Sequence, residues 1–168
     1  MIADRQGSPT VGVDDADLES LVEVALSAVR AIVAIAVRSL EASPAQVTLV
    51  QYRVLATMAQ EGPTRPATLA NLLGVDASTV TRMCDRLVRD GLVVRRGQRS
   101  DRRVVHVALT AEGMRVVDAV TARRREEFAT LLRAIPPERR AVVVAGLQEV
   151  GATTMANPSP SPALGWLG

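Results

Sequence analysis

The sequence predicts a mainly α-helical fold with one small β-hairpin. Nearly half of the 168 residues are apolar, yet only Tyr52, Phe128 and Trp166 are aromatic, so aliphatic side chains and methionine must form the core. Apolar residues recur at helical spacing over most of the chain, and two strand-like runs follow each other after residue 91. A chain of this length suggests one folded domain.

The first half of the chain predicts four helices. They are Asp14 to about Glu41, about Thr48 to Gln60, Pro66 to Leu73 and Ala77 to Asp90. Gly62-Pro63, Gly74 and Gly91 end the last three, and Asp76 is the expected N-cap of the fourth. Residues 31–37 are apolar on every side of the first helix, which is more than one core-facing stripe requires.

The second half predicts a hairpin followed by two helices. These elements are the strands Leu92 to Arg96 and Arg103 to Leu109 and the helices Ala111 to Ala134 and about Glu138 to Met155. The polar stretch GQRSD forms the tip of the hairpin, Thr110 caps the first of these helices, and Pro136-Pro137 separate the two.

A single domain, residues 14–155, is expected between two flexible tails. Residues 1–13 and 156–168 contain Gly, Pro and polar residues without periodicity. One cysteine, Cys84, allows no internal disulfide, so a secreted, disulfide-stabilised fold is not indicated.

The N-terminal part predicts neither a signal peptide nor a membrane span. It lacks a basic start followed by an apolar stretch. Glu23 and Arg30 interrupt the longest apolar segment, Val22 to Val37, and leave it too short between charges to span a membrane. We therefore expect a cytoplasmic protein that makes no contact with a membrane.

Positive charge is concentrated between Arg82 and Arg103. This stretch holds eight arginines and three aspartates, a net charge of +5, so the rest of the chain carries −3 of the overall +2. A solvated surface is the usual explanation of such a run. The two faces of the fourth helix favour a different explanation, a surface that binds a partner.

The fourth helix is predicted to have two distinct faces. Its apolar arc contains Val80, Met83, Cys84, Leu87 and Val88, and its polar arc contains Ser78, Thr79, Thr81, Arg82, Asp85, Arg86 and Arg89. Short hydroxyl side chains at one end and arginines one and two turns later suit a helix that approaches DNA closely. The preceding LLGVD turn is typical of a helix-turn-helix, and the arginine-tipped hairpin would act as a wing beside it.

Three consecutive blocks, TLVQYRVLATM, LANLLGVDASTVTRMCDRLVRDGLV and DRRVVHVALTAEG, resemble the MarR family of bacterial winged helix-turn-helix transcription regulators. The resemblance covers residues 14–155. It implies a homodimer built by residues 14–41 and 111–155, with DNA-binding lobes formed by residues 48–110. It also implies a pseudo-palindromic duplex operator and, usually, repression that a small-molecule effector or oxidation releases.

Residues on the helix and wing are expected to contact DNA. In the family, the aspartate of an Asp-x-Arg motif, here Asp101 and Arg103, orients an arginine that enters the minor groove. The expected DNA-binding residues are Ser78, Thr79, Thr81, Arg82, Arg86, Arg89, Arg99, Asp101, Arg102 and Arg103.

The apolar pattern of the sequence predicts a dimer independently of the resemblance to the MarR family. One protomer does not provide enough surface to bury all the apolar side chains of two segments. These are residues 31–37 of the first helix and Val142 to Val144, Leu147 and Val150 of the last helix. A monomer with a fully buried central helix is the alternative, but so small a helical domain rarely encloses a helix on all sides.

Four residues outside the DNA-binding face are further candidates for a functional site: Cys84, His106, Tyr52 and Arg53. Cys84 is either a redox switch or, as its apolar arc favours, a buried hydrophobic residue. His106 is the only histidine, so no zinc site of usual ligands is expected, and no catalytic or cofactor motif appears. Tyr52 and Arg53 would offer a phenol and a cation to an aromatic acid, or would simply pack and pair within the fold.

The sequence therefore favours a DNA-binding transcriptional regulator, with repression as its mode. A winged-helix module that binds an acidic protein partner is the alternative, and an architectural DNA binder without sequence preference is a third possibility. Arginines on both the helix and the wing favour DNA.

Overall fold

The computed structural model describes residues 15–97 and 105–156, and it confirms the mainly helical fold with one hairpin. The elements, in chain order, are α1 (Asp15–Arg38), a 3-10 turn (Ser39–Ala42), α2 (Leu49–Glu61), α3 (Pro66–Leu73), α4 (Ala77–Arg89), β1 (Val93–Gly97), β2 (Val105–Leu109), α5 (Ala111–Ala134) and α6 (Pro137–Ala156). The number and order of helices and strands are as predicted. The first helix ends earlier than expected, and the predicted start of the second strand, Arg103, lies outside the described residues.

The chain divides into two compact units, residues 1–34 and residues 35–168, with the boundary inside α1. In the first unit most apolar side chains of α1 are exposed. Leu18, Leu21 and Val24 are more than half exposed. By length and composition alone, the helical segment Asp17–Ala42 is apolar enough to cross a membrane. A single helix of this kind does not establish a membrane topology, and the expectation that Glu23 and Arg30 exclude a span stays a prediction.

The core of the second unit lies where α2, α3, α4, the hairpin and α5 meet. It is aliphatic, as the composition predicts, and its fully buried side chains include Val54, Leu55, Leu69, Val80, Cys84, Leu87, Val107 and Val116. Each fully buried leucine or valine contributes roughly 1.5–3 kcal/mol by leaving water. This burial fixes the orientation of α4, whose core side chains recur at three- and four-residue intervals.

The hairpin has a third strand-like partner that the sequence did not reveal. β1 and β2 are antiparallel, with Arg95 opposite Val107 and Arg96 opposite His106. Thr64 bridges to Val107 through two backbone hydrogen bonds, of 3.0 Å from its N–H and 2.8 Å to its carbonyl oxygen. One bridging residue has no alternating pattern, so no sequence signal marks it.

The helix termini show which capping predictions hold. Thr110 caps α5 as predicted, because its Oγ1 accepts a hydrogen bond from Gly113 N at 3.0 Å. Asp76 occupies the N-cap position of α4, as predicted, but its side chain makes no capping bond. Its carbonyl oxygen accepts from Thr79 N and Val80 N instead. Pro137 begins α6 rather than ending the preceding segment, a position that suits proline because its missing N–H needs no partner there.

Gly113 allows α5 to lie directly against the start of β1. A Cβ atom at this position would lie 2.1 Å from the carbonyl oxygen of Leu92. That oxygen also accepts a hydrogen bond from Thr110 N at 3.1 Å. No side chain fits there without moving one backbone segment away from the other.

We expect Gly113→Ala to lower the free energy of unfolding by about 1–3 kcal/mol, because the new methyl group overpacks a backbone contact. Gly151→Ala on α6 is the control, since a Cβ there meets nothing within 4 Å. Alanine's higher helix propensity should leave that variant equal to the parent or more stable by up to about 1 kcal/mol. Urea unfolding of the three proteins measures both effects, and equal stability of Gly113→Ala and the parent would contradict the close contact.

Candidate nucleic-acid interface

The faces of α4 are those that the sequence predicted. Val80, Cys84 and Leu87 are buried in the core. The exposed residues of the helix are Ala77, Ser78, Thr81, Arg82, Arg86 and Arg89, with Thr79 and Asp85 partly exposed. The helix therefore presents a polar, arginine-rich surface on a rigid apolar base.

The arginines of this surface are available to an external partner. Within residues 15–97 and 105–156, no carboxylate forms a salt bridge with Arg82, Arg86 or Arg89. Each guanidinium carries five N–H donors and a delocalised positive charge. Three such groups on successive turns of one helix favour a polyanionic ligand.

The hydroxyl groups near the start of α4 are not equivalent. Thr81 Oγ1 donates a 2.8 Å hydrogen bond to the carbonyl oxygen of Ala77, one turn earlier in the helix. Its proton is therefore used within the protein, and it can only accept a hydrogen bond or offer its methyl group to a partner. This back-bond could not be read from the sequence.

The turn before α4 has the geometry of a helix-turn-helix. Gly74 ends α3 in the left-handed conformation, with φ of 67°, which glycine adopts without strain. Val75 N donates to Ala70 O at 3.0 Å and closes the turn. As a result α3 packs against α4, and the exposed face of α4 stays free of α3.

The first strand of the wing adds two exposed arginines. Arg95 forms a salt bridge with Asp85 of α4, and Arg96 lies opposite His106. Neither Arg95 nor Arg96 was among the predicted DNA-binding residues. The predicted wing residues Arg99, Asp101, Arg102 and Arg103 lie outside the described residues.

Cys84 is buried, as expected for a core residue. The pKa of its thiol is raised to about 11, mainly by burial and also by the negative charge of Asp85, while the positive charge of Arg95 opposes the rise. A thiol of this kind stays protonated near neutral pH, whereas oxidation proceeds through the thiolate. The structure thus favours the packing role of Cys84 over the redox role.

Tyr52 and Arg53 are not brought together as a ligand site. Tyr52 is buried, its hydroxyl lies 3.0 Å from Thr121 Oγ1, and the Arg124 guanidinium lies 4.8 Å from the centre of its ring. Arg124 also donates two 3.3 Å hydrogen bonds to the buried Ser39 Oγ. Arg53 is exposed on α2. The Tyr52 phenol therefore ties α2 to α5.

An open cleft that the sequence did not predict lies beside the end of α1. Its volume is about 520 Å³, and it is lined by Ile35, Arg38, Arg123, Glu126, Glu127, Thr130 and Leu131. Arg38 Nη2 donates to Glu127 Oε2 at 2.8 Å, and this hydrogen bond lowers the pKa of the Glu127 carboxyl, with the positive charges of Arg38 and Arg123 in support. Arg38 and Glu127 are 89 residues apart in sequence, so no local pattern marks the cleft.

Among the described residues, no group of three His, Cys, Asp or Glu side chains is placed to hold a metal ion. His106, the single histidine, is partly buried on β2. It stands alone there as a possible ligand.

A model of the MarR family matches residues 47–105 of the chain. Over 92 residues the chain is 35% identical to the HTH-type transcriptional repressor MdtR of Bacillus subtilis, a match that covers 55% of this chain and 59% of MdtR. Over 76 residues it is 36% identical to the multiple antibiotic resistance protein MarR of Salmonella typhimurium, a match that covers 45% of this chain and 53% of that protein. The chain thus spans between half and two thirds of the length of these curated relatives.

Solved structures extend the similarity over most of the chain. The crystal structure of RV1404 from Mycobacterium tuberculosis is 37% identical, with a TM-score of 0.72, and the match covers 83% of this chain and 92% of that one. A MarR family protein from Bacillus stearothermophilus has a TM-score of 0.74 at 22% identity, over 84% of this chain and 98% of the other, and it shows the shared fold.

The raised pKa of Cys84 predicts how stability changes in alkaline solution. The unfolded chain releases the thiol proton near pH 9 and the folded chain near pH 11. The free energy of unfolding of the parent, relative to Cys84→Ser, should therefore be constant below about pH 9 and fall as the pH rises towards 11. Cys84→Ser should also be modestly less stable at pH 7, because it buries a hydroxyl in an apolar site.

Thermal unfolding of both proteins between pH 7 and pH 10.5 measures this difference, and arginine titration does not interfere in that range. A difference that does not change between pH 8 and pH 10.5 would show that the thiol is not held in an apolar site.

Proposed function

Since the chain belongs to the MarR family of transcriptional regulators, which are not enzymes, we propose that it binds double-stranded DNA and regulates transcription. The single observation that carries the proposal is the exposed face of α4. Its three arginines, which pair with no carboxylate of residues 15–97 and 105–156, and its short hydroxyl side chains stand on a helix whose other face is fixed in the core. An α-helix of this kind fits the major groove of B-form DNA.

The proposed contacts divide into three groups. Arg82 and Arg86 lie in the middle of the exposed face, where side chains reach base edges, and arginine binds guanine through two hydrogen bonds. Ser78, Thr79 and Thr81 lie in the first half of the helix and Arg89 is its last residue, and all four are assigned to the phosphate backbone or to close approach. Arg99, Asp101, Arg102 and Arg103 are assigned to the wing.

We propose that the functional form is a homodimer. Val142 and Val150 on α6 are 74% and 66% exposed in the single chain, and apolar residues of α1 are exposed as well. Apolar surface of this extent marks an association site. We therefore assign dimerisation to residues 14–41 and 111–155, and DNA binding to residues 48–110. A two-fold symmetric dimer requires a pseudo-palindromic operator.

Repression is the proposed mode of regulation, and a small molecule is its proposed release signal. The name of the relative MdtR, a transcriptional repressor, supports repression. The cleft beside Arg38 supports an effector, since its volume of about 520 Å³ lies in the range of small-molecule sites. It is a better candidate than Tyr52 and Arg53, because the Tyr52 hydroxyl already has a partner. A regulator of this kind acts in the cytoplasm, where the bacterial chromosome lies.

Operator affinity tests the DNA-binding face. Genomic fragments that the parent retains should bind Arg82→Ala more weakly by about 1–3 kcal/mol, with relaxed preference at one position of each half-site. Arg53→Ala is the matched control, because it removes the same charge from an exposed position on α2, outside the dimerisation helices and the proposed DNA contacts. Equal losses in both variants would point to general electrostatic attraction, and retention of an acidic protein with no DNA would favour the protein-binding alternative.

Sedimentation tests the dimer. We expect the parent to sediment as a dimer at low micromolar concentration. Val142→Glu should shift the protein towards monomer, because a charge at an apolar interface loses its solvation. Val94→Glu, an exposed apolar residue of β1 outside the dimerisation helices, is the control and should leave the parent's sedimentation unchanged. A monomeric parent would remove the dimer and the two-half-site operator together.

A further inference from the structure

We infer that Arg95 is an additional DNA-contacting residue and that Asp85 is the positioning residue that holds it in place, an inference that rests on the proposed DNA-binding function. Asp85 lies on α4 among the exposed arginines, and Arg95 lies on β1. The carboxylate and the guanidinium form a salt bridge between the helix and the wing.

The path of the chain explains why these two residues meet. α4 ends at Arg89, and Gly91, with φ of 73°, turns the chain back so that β1 begins at Val93. Alternate residues of a strand share a face. Val93 is buried in the core, so Arg95 lies on the same face as Val93, towards α4, whereas Val94 and Arg96 lie on the other face.

Stability does not account for the pair. The side chains of Asp85 and Arg95 are 46% and 50% exposed, and exposed ion pairs contribute little to folding because water and salt screen them. An unpaired carboxylate on this face would also repel a phosphate backbone. The salt bridge neutralises that carboxylate and directs the guanidinium along the edge of the exposed face of α4.

Arg95 keeps the means to bind a second anion. Its Nη2 donates to Asp85 Oδ1, and an arginine has five N–H donors in all. An aspartate that fixes one side of a guanidinium leaves the other side pre-organised for a phosphate oxygen, which lowers the entropy lost on binding. We assign this contact to the phosphate backbone beside the major groove that α4 enters.

The experiment measures operator affinity across a salt series for the full chain. Arg95→Gln should weaken binding and lower the salt slope by about one unit per Arg95 in contact. Asp85→Asn should weaken binding by about threefold to tenfold, although it removes a negative charge, because Arg95 loses its position. In the Arg95→Gln background, Asp85→Asn should have the opposite effect and strengthen DNA binding, because the substitution then removes only a charge that repels the phosphates.

Asp90→Asn is the matched control, an exposed aspartate five residues further along, at the C-cap of α4. Asp90→Asn should change operator affinity by the same factor in the parent and in the Arg95→Gln variant. Arg95→Lys, which keeps the charge without the planar fork, should recover part of the Arg95→Gln loss, and thermal unfolding should show all variants folded.

Tighter binding by Asp85→Asn in the parent background would overturn the positioning role while leaving the proposed function intact. Unchanged affinity and unchanged salt slope in Arg95→Gln would overturn the contact itself. A parent that retains no genomic DNA, with Arg82→Ala indistinguishable from it, would overturn the proposed function and this inference together.

Discussion

The backbone junction at Gly91 and Leu92 is the constraint on which the rest of the lobe depends. Leu92 N donates to the last full turn of α4 at Leu87 O, and Leu92 O accepts from Thr110 N at the start of α5. Thr110 Oγ1 meanwhile donates to Gly91 O at 2.7 Å. Two residues thus join α4, the hairpin and α5, so the position of the wing relative to α4 is set by main-chain hydrogen bonds and by the absence of a side chain at Gly113.

The sequence predicted what short-range rules determine. Repeats of apolar residues at three- and four-residue intervals predict the helices, glycines predict their ends, and the two arcs of α4 predict its buried face. These features depend on periods of 3.6 and 2 residues and on conformations that few residue types adopt. These local features do not depend on which distant residues pack against them.

Features that depend on distant pairs could not be predicted. The Thr64 bridge, the Arg38–Glu127 pair and the contact between Arg124 and Tyr52 each join residues far apart in sequence, and no local pattern specifies such a partner. Asp76 occupies its predicted N-cap position, but its side chain makes no capping bond, a detail that residue type alone does not determine. Tyr52 and Arg53 are neighbours in sequence, yet on a helix adjacent residues lie about 100° apart, so one became buried and the other exposed.

The stacking of Arg124 on Tyr52 gives the protein a built-in optical reporter. Tyr52 is the only tyrosine of the chain, and its ring lies where α2 meets α5, under the guanidinium and beside the Thr121 hydroxyl. An asymmetric charge 4.8 Å from the ring centre makes its near-ultraviolet circular dichroism sensitive to the spacing of these two helices. The indole of Trp166 absorbs in the same region, so a Trp166→Phe variant isolates the tyrosine band. A movement of α5 against the lobe is thereby visible in the unlabelled protein.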